Sequence, residues 1–174
     1  MLLAAICFSP TLGGLELATL RRASEMIGLG HRAVAILAAG STELAERARD
    51  MGLEVVTIRI RLPYLDLLAG RALRKLIKQR DIDLLLVARS KDLSTAMLGA
   101  TDDTAVVLYH QMQSDVVKID WFHNPIYRRL DGAIIITERQ RAQLLRTTGL
   151  VPSKIHFAAY GVDNRRFSPD AITT

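Results

Sequence analysis

The 174-residue chain is 49% apolar and only 5% aromatic, and its 23 Lys and Arg outnumber 18 Asp and Glu to give a net charge of +5. That length supports one domain with a core of mostly Leu, Ile, Val and Ala, and the basic balance suits an anionic partner without selecting one. The single cysteine, Cys7, excludes an intrachain disulfide, and no run of about 18 apolar residues offers a membrane-spanning helix.

Short apolar runs alternate with longer segments of helical period. The first, Leu2–Phe8 in "MLLAAICFSP", lacks a basic flank and reads as a buried strand, not a signal sequence. A helix over Leu15–Leu29 follows, with Leu17, Leu20, Ser24 and Ile27 near one face and Gly28 and Gly30 as stops. Then come a strand at Ala33–Leu37, a helix over Ser41–Met51 opening on "STEL", a strand at Glu54–Ile58 and a helix over Leu65–Gln79. The series continues with strand Leu84–Val87, helix Ser90–Gly99, strand Ala105–Tyr109, a helix over roughly Val116–Leu130, strand Ala133–Ile136, helix Glu138–Thr148 and strand Ile155–Ala158. Strands apolar on both faces, each followed by a helix, predict a doubly wound, Rossmann-like α/β domain with a parallel sheet. The expected strand order is 3-2-1-4-5-6 with a seventh strand at the end. Residues 1–159 would form this domain and 160–174 the start of a linker.

Ligands of such sheets bind at the carboxyl ends of the strands, beside the first strand. The loop there is "SPTLGGLE". Gly13 and Gly14 permit close backbone approach, and the helix start behind them is an anion site. A tight turn in which Glu16 merely complements the helix dipole explains the same residues. The dinucleotide fingerprint G-x-G-x-x-G does not occur, which disfavours an oxidoreductase. His110 directly follows the fifth strand, at the mouth of the expected crevice. Trp121, Phe122 and His123 in "DWFHNPIYRR" are either packing or an apolar acceptor-binding surface. The four histidines have no ligand-like spacing with one another or with Cys7, so no metal is expected.

Seven basic residues and one acid lie between Arg59 and Arg80. Leu65, Leu68, Ala72, Leu76 and Ile77 make one predicted helix face, and Arg71, Arg74, Lys75 and Lys78 another. A basic amphipathic helix can lie on an anionic membrane; an ordinary surface helix with its charges in water shows the same pattern.

Three features fall in one order: "GGLE" at the first turn, His110 after the fifth strand, and "YGVDNRRFSP" near the end. Together with the segment "RRLDGAIIITERQRAQLLRTTGLVPSKIHFAAYGVDNRRFSPD" they resemble the amino-terminal half of family 4 glycosyltransferases of the GT-B fold, most specifically over residues 128–170. The resemblance implies that Gly13, Gly14 and Glu16 face the donor and acceptor, that His110 sits near the transferred sugar, and that Gly161–Pro169 leads into a second, donor-binding domain. It further implies retaining, metal-independent transfer with a nucleotide sugar as co-substrate, no bound cofactor, and a glycan or lipid-linked acceptor. No nucleic-acid partner is expected. The implied location is cytoplasmic, with an anionic membrane surface at the inner face as a peripheral partner, and the single domain alone is expected to be inactive. Two features depart from the family pattern: Tyr160 replaces the usual Asn before Gly161, and "ARSKDLS" lacks the histidine pattern often found after the fourth strand. A non-catalytic binding module on the same scaffold is the alternative.

Overall fold

The computed structural model describes residues 1–112, 115–159 and 161. Its strands are β1 (Leu2–Cys7), β2 (Arg32–Ala38), β3 (Glu54–Ile58), β4 (Leu84–Val87), β5 (Ala105–His110), β6 (Gly132–Ile135) and β7 (Ile155–Phe157). The helices between them are α1 (Gly14–Gly28), α2 (Thr42–Asp50), α3 (Leu67–Arg80), α4 (Ser90–Gly99), α5 (His123–Arg129) and α6 (Glu138–Thr147). One seven-stranded sheet runs in the order β3-β2-β1-β4-β5-β6-β7, and every pairing is parallel. This is the doubly wound order expected from the alternation of elements. Tyr160 and most of the expected linker lie outside the described residues.

Strand β1 shows why its sequence is apolar at every position. Leu2, Ala4 and Ile6 point into the core beneath α3, α4, α5 and α6, while Leu3, Ala5 and Cys7 point into a second core beneath α1 and α2. Period-2 alternation places successive side chains on opposite faces, and both faces here are covered.

Several expected helices differ in detail from those found. The fifth does not begin at Val116: residues 115–122 are irregular and α5 covers only His123–Arg129. Val116, Val117 and Ile119 are β-branched and weak helix formers, and the Lys118 N–H donates to the Thr147 carbonyl at 2.6 Å, stitching the loop to the end of α6. The Asp120 side chain then accepts from the N–H groups of Phe122 and His123, each at 2.9 Å, and starts the helix there. In α1 the buried face is Glu16, Thr19, Leu20 and Ala23, so of the expected face only Leu20 is in the core and Ile27 is exposed. In α2, Ser41 occupies the N-cap position but makes no capping bond; its hydroxyl donates to the Ser9 carbonyl at 2.7 Å and tethers the loop after β1.

Helices α3 and α4 cross closely because glycines face the contact. A Cβ on Gly99 would lie 2.6 Å from Leu73 Cγ, and one on Gly70 would lie 2.7 Å from Leu98 Cβ. Gly99→Ala is therefore expected to destabilise the protein by about 1–3 kcal/mol through overpacking. Gly14→Ala, where a Cβ meets nothing within 4 Å, should stay within about 0.5 kcal/mol of the parent. Urea unfolding of both variants checks the contrast.

Candidate functional site

The chain leaves β1 toward β2 on one side and returns through β4 on the other, so the loops after these neighbouring strands diverge. A cleft of about 940 Å³ opens at that point. Ser9 follows β1, Ala88 and Arg89 follow β4, and His110 ends β5. Gly14, Leu15 and Glu16 at the start of α1, and Ser90 and Lys91 at the start of α4, complete its floor. Neither helix start carries a side-chain capping bond, which leaves backbone N–H groups of both first turns for a ligand or water. Tyr64, Met112, Val116 and Phe122 supply an apolar wall, and Lys118 and His123 a polar one.

Beneath the floor lies a group of buried charges. Asp92 of α4 accepts the Phe8 N–H at 3.1 Å, so the carboxylate joins α4 to the end of β1. Glu16 is 7% exposed and its Oε1 stands 4.0 Å from Arg89 Nε, close enough for attraction but not for a hydrogen bond. Arg89 Nη1 is buried and has no hydrogen-bond partner among the described residues. Burial pushes the Asp92 carboxyl up to about 6 and Glu16 adds to the effect, against the opposing pull of Arg89, the Phe8 N–H and Lys91. Burial likewise pushes the Cys7 thiol up, helped by Asp92 and Glu16, so Cys7 is an inert core residue.

His110 lies at the cleft wall with its Nε2 3.4 Å from Gln143 Oε1. Burial lowers its basicity and nearby Lys118 lowers it further, while the bond to Gln143 works the other way. The imidazole is therefore neutral at physiological pH. Its surroundings are braced from α6: Gln140 donates from Nε2 to the Gln111 carbonyl at 3.2 Å and completes a capping box with Thr137.

Of the residues singled out in the sequence, Gly14, Glu16, His110, Phe122 and His123 line this one cleft. Gly13 stands just outside it as the N-cap of α1, where a Cβ would come within 2.7 Å of Glu16 Oε2. Trp121 does not line the cleft; it is 88% exposed and packs edge-on against Phe122 at 6.1 Å. His123 Nδ1 is held 2.6 Å from Asp120 Oδ2. Arg71, Arg74, Lys75 and Lys78 lie on α3 outside the cleft lining. Sequence reading missed Arg89, Lys91 and Asp92 in "ARSKDLS". Their signal was positional, because the loop after β4 must flank the switch point once β4 pairs with β1. Tyr127 of the same segment also lines the cleft, largely buried, and its hydroxyl lies 3.3 Å from Ser90 Oγ.

The sequence model of Glycosyltransferase Family 4 matches residues 12–166. No curated protein matches the sequence significantly. Among solved structures, a glycosyltransferase from Rickettsia africae superposes with a TM-score of 0.78 at 17% identity, covering 99% of this chain and 46% of that one. HepE from Anabaena, solved with UDP and glucose, gives 0.68 at 16% identity over 97% of this chain and 47% of its own. The lipopolysaccharide outer core galactosyltransferase WaaB gives 0.66 at 11% identity over 93% and 46%. The chain thus spans about half the length of the solved structures it matches.

The elevated Asp92 carboxyl has a consequence for stability. Between its ordinary value of 3.8 and about 6, the folded protein binds more protons at this group than the unfolded chain, so stability falls as pH rises through that window. Asp92→Asn keeps an acceptor for the Phe8 N–H but does not titrate. The unfolding free energy of the parent relative to this variant is expected to drop by about 1–3 kcal/mol from the bottom to the top of the window. Urea denaturation at the two ends of the window measures it, and a pH-independent difference would contradict a buried, ionising Asp92.

Proposed function

The chain belongs to Glycosyltransferase Family 4, and on that premise we propose that it is the acceptor-side half of a retaining, nucleotide-sugar-dependent glycosyltransferase. The observation that carries this reading is the convergence of His110 and the uncapped starts of α1 and α4 on one cleft at the sheet's switch point. A volume of about 940 Å³ suits a sugar-sized ligand. The UDP and glucose bound to Anabaena HepE, and the galactosyltransferase activity named for WaaB, support a nucleotide sugar as the donor.

In this reading a second domain of comparable size, reached through the segment from residue 160 onward, holds the nucleotide across the cleft. The bond between the sugar's anomeric carbon and the diphosphate breaks, its electron pair leaving with the diphosphate, while an acceptor hydroxyl adds to the same face of the ring and passes its proton to an oxygen of the departing diphosphate. Positive helix starts and nearby Lys and Arg side chains, in place of a metal, offset the charge that develops on the leaving diphosphate. Neutral His110, at the wall of the cleft, hydrogen-bonds the sugar as it is transferred. The acceptor is a glycan or a lipid-linked sugar, met by the apolar wall of Tyr64, Met112, Val116 and Phe122.

Two measurements test the proposal. The 174-residue chain by itself should show no sugar transfer and no donor hydrolysis, because most donor contacts belong to the other domain; turnover by this chain alone would contradict that division. In an enzyme containing both domains, His110→Ala should lower kcat by roughly 10²–10³, with a smaller effect on donor KM. Kinetics close to the parent would remove His110 from the reaction.

A further inference from the structure

One wall of the cleft carries cations that no acid neutralises. Lys91 and Lys118 both line it, and among the described residues neither ammonium has a salt-bridge partner. Glu16 is the one acid among the described lining residues, and it stands across the floor at the start of α1, beside Arg89. Lys91 acts on the buried Asp92 only through longer-range attraction. Asp120, two residues beyond Lys118, gives Oδ1 to the N–H groups of Phe122 and His123 and Oδ2 to His123 Nδ1 at 2.6 Å. Its charge is spent within its own turn. Cations gathered in a concave site repel one another, and an incoming anion relieves that repulsion.

The hydrogen bonds that join the two lysines run in one direction. Lys118 Nζ donates to the Tyr127 hydroxyl at 3.4 Å, and that hydroxyl donates to Ser90 Oγ at 3.3 Å. A serine hydroxyl has one proton to give, and that of Ser90 has no acceptor among the described residues, so it is left for a ligand. Tyr127 is 2% exposed and fixes the spacing from below. Lys118 is drawn over its ring, with Nζ 5.9 Å from the ring centre, while its backbone is tied to Thr147. Both side-chain bonds are long, which lets the ammonium and the serine hydroxyl turn to a better acceptor.

We propose that Lys118, Lys91 and Ser90 form an oxyanion subsite for a phosphoryl group carried by the acceptor. The donors select the chemistry: two ammonium groups and a hydroxyl proton suit phosphate oxygens, whereas a neutral sugar leaves both charges unmatched. Position selects the source. Val116 and Phe122 flank Lys118 along the chain, and Lys91 Nζ lies 5.7 Å from the centre of the Tyr64 ring. The subsite is thus set among the apolar residues that meet the acceptor, and the start of α1 and Arg89 remain for the donor's diphosphate. Assignment to the acceptor rests on the transferase reading. Phosphate binding itself does not, so the two fail separately.

NMR titration of the 174-residue chain with glucose 6-phosphate, glucose and UDP tests this. Glucose 6-phosphate should shift the backbone amides of Ser90, Lys91 and Lys118, and glucose should not. Lys91→Met and Lys118→Met should each weaken binding by about tenfold. Lys75→Met removes the same charge from an exposed position on α3, outside the cleft, and should leave binding unchanged. Lys91 is exposed, so its variant keeps the test intact even where Lys118→Met loses the parent's circular dichroism. UDP at equal concentration should not displace glucose 6-phosphate. Absence of these shifts, equal binding of glucose, or parent-like affinity in Lys91→Met would overturn the subsite. Displacement by UDP through the same amides would give it to the donor and overturn its assignment to the acceptor.

Discussion

The cleft depends on a carboxylate that ties the sheet together where the chain changes direction. Asp92, on the first turn of α4, accepts the Phe8 N–H at the end of β1 and so closes the gap between two loops that head apart. Without it that N–H would be buried and unpaired, a cost comparable to losing a hydrogen bond outright. The arrangement is itself expensive, because Asp92 and Glu16 are both buried, and Arg89 and Lys91 offset the charge on Asp92 only in part. A charge group of this kind is a weak source of stability. Its value is positional: it sets where the starts of α1 and α4 face one another.

From that frame the character of the cleft follows. Two helix starts give fixed positive potential, Lys91 and Lys118 add cationic side chains, and the buried acids keep the local balance from becoming strongly cationic. His110 contributes no charge, since burial and Lys118 keep it neutral. The result is a site with hydrogen-bonding and electrostatic capacity on one wall and an apolar surface on the other. Such a division suits a ligand with a polar or anionic part and an apolar part.

The irregular segment from 115 to 122 shows how the apolar wall is built. Its β-branched residues resist helix formation, and the Lys118 backbone pairs with the end of α6. That pairing carries Val116, Lys118 and Phe122 over the cleft, where a continuous helix would have turned some of them away. The Asp120 carboxylate, held well below its ordinary range by the N–H and imidazole of His123, then restarts the chain as α5.

The sequence by itself determined the strands, their order, the glycine turn after β1 and the position of His110. Strand identity is a local matter: two-sided burial demands apolar residues at every position, and a parallel sheet demands a helix between strands. It did not reveal Arg89, Lys91 and Asp92 as site residues, because they meet Glu16 only after strands distant along the chain have paired. Nor did it settle which face of α3 is buried. Hydrophobicity favoured Leu65, Leu68, Ala72, Leu76 and Ile77; of these Ile77 is in the core, but it is joined there by Ala69, Gly70 and Leu73, and the first two leucines face water. Apart from Ile77, that is a rotation of one residue, about 100° on a helix. The crossing with α4 decides it, because only a surface as small as Ala69 and Gly70 lets the two backbones approach, and a one-dimensional pattern holds no record of how near a neighbouring helix will come.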